Sequence, residues 1–141
     1  MRIVIINGPN INLIGLRETA VYGQVSFDSF LASLQAQFPQ HSIDHYQSNV
    51  EGELINKLQE VGFSADGIIL NAAAYSHTSI ALADTIAAIA TPVVEVHISN
   101  VHAREEFRHK NTIGRVCAGT ISGFGLESYT LALVHFLSRA S

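Results

Sequence analysis

The sequence predicts a three-layer α/β fold, a five-stranded parallel sheet with helices on both faces. Three observations carry that prediction. Short runs of apolar, β-branched residues such as Arg2–Ile6 and Val93–Ile98 read as strands buried on both faces. Between them lie segments with apolar residues at helical spacing. Strand and helix alternate along the chain with no repeat, low-complexity tract or linker, the pattern of an open parallel sheet.

Arg2–Ile6 is the first strand, and a polar, glycine-containing stretch from Asn7 to Gly23 follows it. That stretch is long for a loop in so compact a chain. Phe27, Phe30, Leu31, Leu34 and Phe38 then fall at helical spacing, with Pro39 just past the end. His41–Tyr46 is the second strand. Ser48 and Glu51 form a capping-box pattern before Leu54, Leu58 and Val61, with Gly62 as the stop. Gly67–Leu70 is the third strand and Ser79–Ala90 the third helix, ended by Thr91-Pro92. Val93–Ile98 is the fourth strand, Val101–His109 a short helix and Val116–Ser122 a fifth strand of small and β-branched residues. Gly123-Phe124-Gly125 precedes a last helix with Tyr129, Leu133, Phe136 and Leu137 on its apolar face. Five strands favour the flavodoxin-like order 2-1-3-4-5 over a six-stranded Rossmann sheet.

The chain has 141 residues, which fits a single domain over 1–141. With 48% apolar and 14% charged residues it can build a core without disulfides or metals. Low charge and a positive mean hydropathy of +0.25 predict that part of the surface is covered by copies of the same chain. A net charge of −4 argues against nucleic acid as a partner, since phosphate binding needs a basic face. Cys117 is the single cysteine, which excludes a disulfide framework and suits a reducing compartment. The first apolar run, Ile3–Ile6, is too short for a signal peptide or membrane span, so a soluble cytoplasmic protein is expected.

In an open α/β sheet the ligand sits outside the carboxyl ends of the strands, and the unusual polar clusters fall there. Asn7-Gly8-Pro9-Asn10 follows strand one, Asn71 and Tyr75–Thr78 follow strand three, and Glu95, His97 and Ser99 end strand four. In the order 2-1-3-4-5 those three strands are neighbours, so the clusters share one crevice. Asn7–Asn10 is also ordinary turn vocabulary; the functional reading has the Asn10 amide reaching into the crevice.

Glu95 and His97 are two apart on a strand, so both point to one side of the sheet. His97 is the best acid/base candidate, with Glu95 holding its tautomer; the alternative is a satisfied core histidine. Adding His102 suggests a metal site, a minority reading because three convergent ligands are needed. Arg104 and Arg108, at i,i+4, line one helix face suited to an anion or pair with local carboxylates.

Arg17 and Tyr22 form a second pair. A tyrosine serves as a base near neutral pH only where cations favour the phenolate, and Arg17 or Arg104 would supply that; otherwise Tyr22 is a packing aromatic. Gly15 and Gly23 bracket the segment, which suits a lid. Ser122–Gly125 resembles a phosphate cradle only weakly, and its glycines better suit close helix–sheet packing.

The segments Asn7–Gly23, Asn71–Ser79, Val94–His109 and Gly119–Leu133 resemble, in order and over essentially the whole chain, type II 3-dehydroquinate dehydratases. The resemblance implies the same flavodoxin-like fold and the reversible trans-dehydration of 3-dehydroquinate to 3-dehydroshikimate through an enolate, without metal or organic cofactor. It implies that Tyr22 removes the proton α to the ketone with Arg17 lowering its pKa, and that Asn10 stabilises the enolate through a water. It makes His97, held by Glu95, the acid for the departing hydroxyl. Asn71 and the backbone N–H groups of Ile98 and Ser99 would hold the substrate carboxylate, His77 and Arg108 the ring hydroxyls, and Arg104 would assist. It further implies a dodecamer built of trimers, with Asp84 reaching a neighbouring subunit's site.

The chain departs from that pattern at Thr19, where proline is usual, at Ala83, where arginine is frequent, and over Lys110–Arg115. The rival reading is a flavin- or nucleotide-binding module, which explains the sheet but leaves Arg17, Tyr22, Glu95 and His97 without purpose.

Overall fold

The computed structural model describes residues 1–16, 20 and 25–139. Strands β1 (Arg2–Asn7), β2 (Ser42–Gln47), β3 (Gly67–Asn71), β4 (Val93–His97) and β5 (Gly119–Ser122) form one sheet in the order β2-β1-β3-β4-β5, as expected. Every neighbouring pair is parallel. Among the described residues the α-helices are α1 (Phe27–Gln37), α2 (Glu51–Val61), α3 (Ile80–Ala88) and α4 (Glu127–Ser138).

The alternation of side chains along β1 builds two cores. Ile3 and Ile5 pack with Leu34 of α1 and with Leu133 and Phe136 of α4. Val4 and Ile6 pack on the other face with Leu54 and Leu58 of α2 and Leu82 and Ile86 of α3. Each such fully buried side chain contributes roughly 1.5–3 kcal/mol relative to exposure. Both faces of β1, β3 and β4 are covered, which is why β1 and β3 read as apolar runs and β4 departs from one only at Glu95 and His97. β5 is a shorter, partly exposed edge strand, because the residues from Gly114 to Val116 form a 3₁₀ turn instead of extending it.

Two local expectations are corrected, and the role of Gly62 is made specific. The start of α2 is no capping box, since the Ser48 hydroxyl donates to Glu53 and accepts from the Val50 N–H. Val50 is the N-cap, without a side-chain hydrogen bond. Gly62 does end α2, but in right-handed backbone at φ −68°. Its role is steric, for a Cβ there would lie 2.5 Å from the Leu58 carbonyl oxygen and 2.6 Å from Ile89 Cβ.

The second correction bears on the site. Val101–His109 is not one helix but two 3₁₀ turns, Val101–Ala103 and Glu106–His109, separated by Arg104 in extended backbone. The Asn100 side chain accepts from the His102 N–H and starts the first turn. Glu105, between the arginines, pairs with both, 3.8 Å from Arg104 Nε and 3.1 Å from Arg108 Nε.

Candidate active site

The carboxyl ends of β1, β3 and β4 stand side by side and open into one cleft, with about 650 Å³ of space counting its solvent-open mouth. Asn10, Asn71, His77, His97, Ile98, Ser99, Arg104 and Arg108 line it, so eight of the expected residues are brought together.

Of the other four, only Glu95 and Asp84 fall among the described residues, and neither lines the cleft. Glu95 lies beneath His97, fully buried. Asp84 is exposed on α3 and is not part of this cleft's wall. Arg17 and Tyr22, with the lid expected around Gly23, lie outside the described residues.

At the cleft floor His97 Nε2 is 2.6 Å from Glu95 Oε2. The other carboxylate oxygen, Oε1, accepts from Asn111 Nδ2 at 2.7 Å and from Thr120 Oγ1 at 2.9 Å. Burial alone would push the Glu95 carboxyl upward. Its hydrogen bond to His97, the imidazole charge and the bonds from Asn111 and Thr120 together outweigh that and hold it below the usual carboxylate value. An ionised Glu95 only accepts, so His97 Nε2 carries a hydrogen and Nδ1 is the nitrogen left for proton exchange. The two-residue spacing on β4 thus produces an oriented acid/base group.

His77 stands beside it, its ring 6.1 Å from that of His97 and stacked. Its Nδ1 lies 2.7 Å from the Lys110 carbonyl oxygen, an acceptor only, so Nδ1 carries the hydrogen and Nε2 is left for a ligand. Arg104 Nη1 reaches Ser99 Oγ at 3.4 Å. Breaking the helix between them has not removed either arginine from the wall. It gives the cleft two cationic groups, Arg104 between the turns and Arg108 on the second.

Backbone geometry supports the other wall. Asn10 has φ 69° and its N–H donates to Asn49 Oδ1 at 3.0 Å. Ala73 has φ 53°, a left-handed conformation costly for a residue with a Cβ, and its N–H donates to Asn71 Oδ1 at 3.0 Å. Gly8 N–H donates to the Asn71 carbonyl at 2.7 Å, bringing the two loops into contact.

His102 does not converge on Glu95 and His97; its ring lies 5.7 Å from that of His109. The Ser122–Gly125 turn is no phosphate cradle either. Its Gly123 and Gly125 N–H groups donate to the carbonyls of His97 and Ile98, and Phe124 N–H to Ser128 Oγ. Gly123 (φ 100°) and Gly125 (φ 63°) serve this left-handed turn; only Gly123 also meets a close neighbour, Asn100 Cβ at 3.3 Å from a built Cβ.

Sequence reading missed Asn111 and Thr120. The register pairs Thr120 with Glu95, which would have pointed to Thr120 had the bounds of β5 been evident. Asn111 carries no such signal. It also missed the Tyr129 hydroxyl, which accepts from Asn71 Nδ2 at 2.9 Å.

The cleft thus combines an oriented acid/base group at its floor with two arginines in its wall. The family model for Dehydroquinase class II matches residues 1–137. The chain belongs to the class II dehydroquinase family. It is 57% identical to a 3-dehydroquinate dehydratase of Exiguobacterium sp. over 134 residues, 94% of this chain and 92% of that one. A 3-dehydroquinate dehydratase of Helicobacter hepaticus is 51% identical, covering 100% of this chain and 91% of its own. The crystal structure of the type II dehydroquinase from Butyrivibrio crossotus superposes with a TM-score of 0.93 at 40% identity, over 97% of each chain. The expected family and flavodoxin-like fold are therefore both borne out, and class II dehydroquinase is the frame for reading the cleft.

Proposed function

We propose that this cleft carries out the dehydration of 3-dehydroquinate to 3-dehydroshikimate, the reaction of the class II dehydroquinases, with His97 as the general acid. The observation that carries the assignment of the acid is the Glu95–His97 contact at 2.6 Å at the floor of the cleft.

In the proposed reaction Tyr22, as a phenolate favoured by Arg17, takes the proton α to the ketone. The C–H electron pair becomes an enolate, stabilised by Asn10 through a water. The enolate re-forms the ketone as the C–O bond at the β carbon breaks, and His97 Nδ1–H protonates the departing hydroxyl. Water leaves and a conjugated enone remains. Acid and base act on opposite faces, which accounts for trans elimination.

The cleft supports the binding roles as well. Asn71 and the N–H groups of Ile98 and Ser99 sit at adjacent strand ends, suited to the substrate carboxylate. His77 Nε2 and Arg108 suit the ring hydroxyls, and Arg104 adds positive charge. The substrate carboxylate would then sit outside the carboxyl ends of three parallel strands, where an open α/β sheet holds its ligands.

Asp84, exposed on α3, is the residue we assign to a neighbouring subunit's cleft in a dodecamer of trimers. Among the described residues no helix is long and apolar enough to cross a membrane. We place the enzyme in the cytoplasm, serving aromatic biosynthesis or quinate breakdown.

Purified protein mixed with 3-dehydroquinate should generate the ultraviolet absorbance of the enone, without added metal and equally in EDTA. No absorbance change would sink the assignment. Tyr22→Phe and His97→Ala should each lower kcat by about 10²-fold or more with the fold retained. Near-normal turnover in Tyr22→Phe would remove it as the base.

A further inference from the structure

A buried chain of hydrogen bonds runs beneath the cleft from β2 to the loop after β3. Asn7 Nδ2 lies 3.0 Å from His45 Nε2, Tyr129 OH 2.7 Å from Asn7 Oδ1, Asn71 Nδ2 2.9 Å from the Tyr129 oxygen, and Ala73 N 3.0 Å from Asn71 Oδ1. Asn7 and Tyr129 are fully buried and Asn71 nearly so.

The polarity of this chain is determined from one end. The Ala73 N–H can only donate, so the Asn71 oxygen faces it and the Asn71 amide nitrogen faces Tyr129. The Tyr129 oxygen accepts from that amide, so its own proton must go to Asn7, whose oxygen therefore faces Tyr129. The Asn7 amide nitrogen is then left to His45 Nε2, which accepts as a neutral imidazole. Burial favours that neutral form, lowering the His45 pKa against the opposing charge of Asp28. Reversing any single member leaves a buried donor facing a donor.

The consequence falls on Asn71. Its amide nitrogen has two hydrogens, and Tyr129 holds one of them. The second is not the one held by Tyr129, and Asn71 lines the cleft. We propose that Tyr129 and Asn7 are positioning residues for substrate binding: they lock the Asn71 amide so that it presents a donor, rather than its oxygen, to the substrate carboxylate. The proposal rests on the reading of Asn71 as a carboxylate ligand.

Steady-state kinetics on 3-dehydroquinate test it, using Tyr129→Phe, Asn71→Ala and the double variant, each checked by thermal unfolding. A hydrogen bond to a carboxylate lost alike in ground and transition states raises KM and leaves kcat nearly intact. Tyr129→Phe should raise KM by roughly tenfold with kcat within about threefold of wild type. In the Asn71→Ala background the same substitution should raise KM no further. A purely structural tyrosine would lower the thermal midpoint and the active fraction while leaving KM unmoved. Unchanged KM in Tyr129→Phe, or an equal rise in both backgrounds, overturns the proposal. Unchanged KM in Asn71→Ala removes the carboxylate reading beneath it, and an inactive wild type removes the reaction itself. Should Tyr129→Phe not fold, Asn7→Ala takes its place. It keeps the tyrosine but deprives its proton of an acceptor, and the same KM rise is required of it.

Discussion

Asn111 and Glu95 are far apart in sequence and 2.7 Å apart in space, amide nitrogen to carboxylate oxygen. The Asn111 oxygen accepts from the N–H groups of Ile113 and Gly114, at 3.1 and 2.8 Å, so the amide cannot turn round. Its nitrogen is aimed at Glu95, and through Glu95 the restraint passes to His97.

Asn111→Ala should therefore act on both stability and turnover. It strips one donor from a buried carboxylate, a loss of about 1–3 kcal/mol in unfolding free energy. Turnover should fall several-fold with KM little changed, because Glu95 orients the acid and does not touch substrate. Urea titration and steady-state kinetics check the two halves, and wild-type values in both would show the contact to be idle.

The depressed pKa of Glu95 sets an acid dependence of stability. A carboxyl whose folded pKa lies below its unfolded one stabilises the fold fully above the unfolded value. That contribution is lost as pH falls through the folded value. Wild type should thus lose more stability between about pH 5 and about pH 3 than Glu95→Gln does. Urea midpoints across that range would read the difference; parallel curves would contradict it.

Burial, and secondarily the negative charge of Glu95, pushes the Cys117 thiol up to about 12. Only the thiolate attacks electrophiles, so Cys117 in the native protein should react with a thiol reagent at pH ~8 more than about 100-fold slower than free cysteine. Unfolding in urea should restore ordinary reactivity. A fast native reaction would show the thiolate to be accessible.

Gly8 is sterically required. A Cβ there would sit 2.7 Å from the Ala72 carbonyl oxygen and 2.8 Å from its carbon, both backbone atoms that cannot step aside. Gly8→Ala must separate the loops after β1 and β3, costing about 1–3 kcal/mol. KM should rise as well, since Asn10 and Asn71 ride on those loops. A urea midpoint and KM equal to wild type would refute the tight approach.

Much of this was legible in sequence because the signals are local. β-branched runs and helical spacing marked the strands and the main helices, and strand count led to the order β2-β1-β3-β4-β5. The alternation of a strand put Glu95 and His97 on one side before any coordinates did. Tertiary partners were not legible. Tyr129 reads as one more aromatic on the apolar face of α4, and only the fold brings its hydroxyl to Asn7 and Asn71. The i,i+4 spacing of Arg104 and Arg108 suggested a helix, yet Asn100 and Glu105 make local contacts that favour two short turns. The same arginines still line the cleft, so their position was read correctly from a local structure that was not.

The one-way ordering of donors and acceptors from Ala73 to His45 restricts how these positions can vary in descent. Removing a single member leaves its neighbour with an unanswered proton or lone pair in the dry interior, so single changes are penalised. Apolar replacement of Asn7 and Tyr129 together removes both ends of one bond and should cost less than the two single changes added. The pair is thus epistatic. A lineage would keep both or lose both, and a relative lacking the tyrosine should hold its Asn71 counterpart by another donor-accepting group.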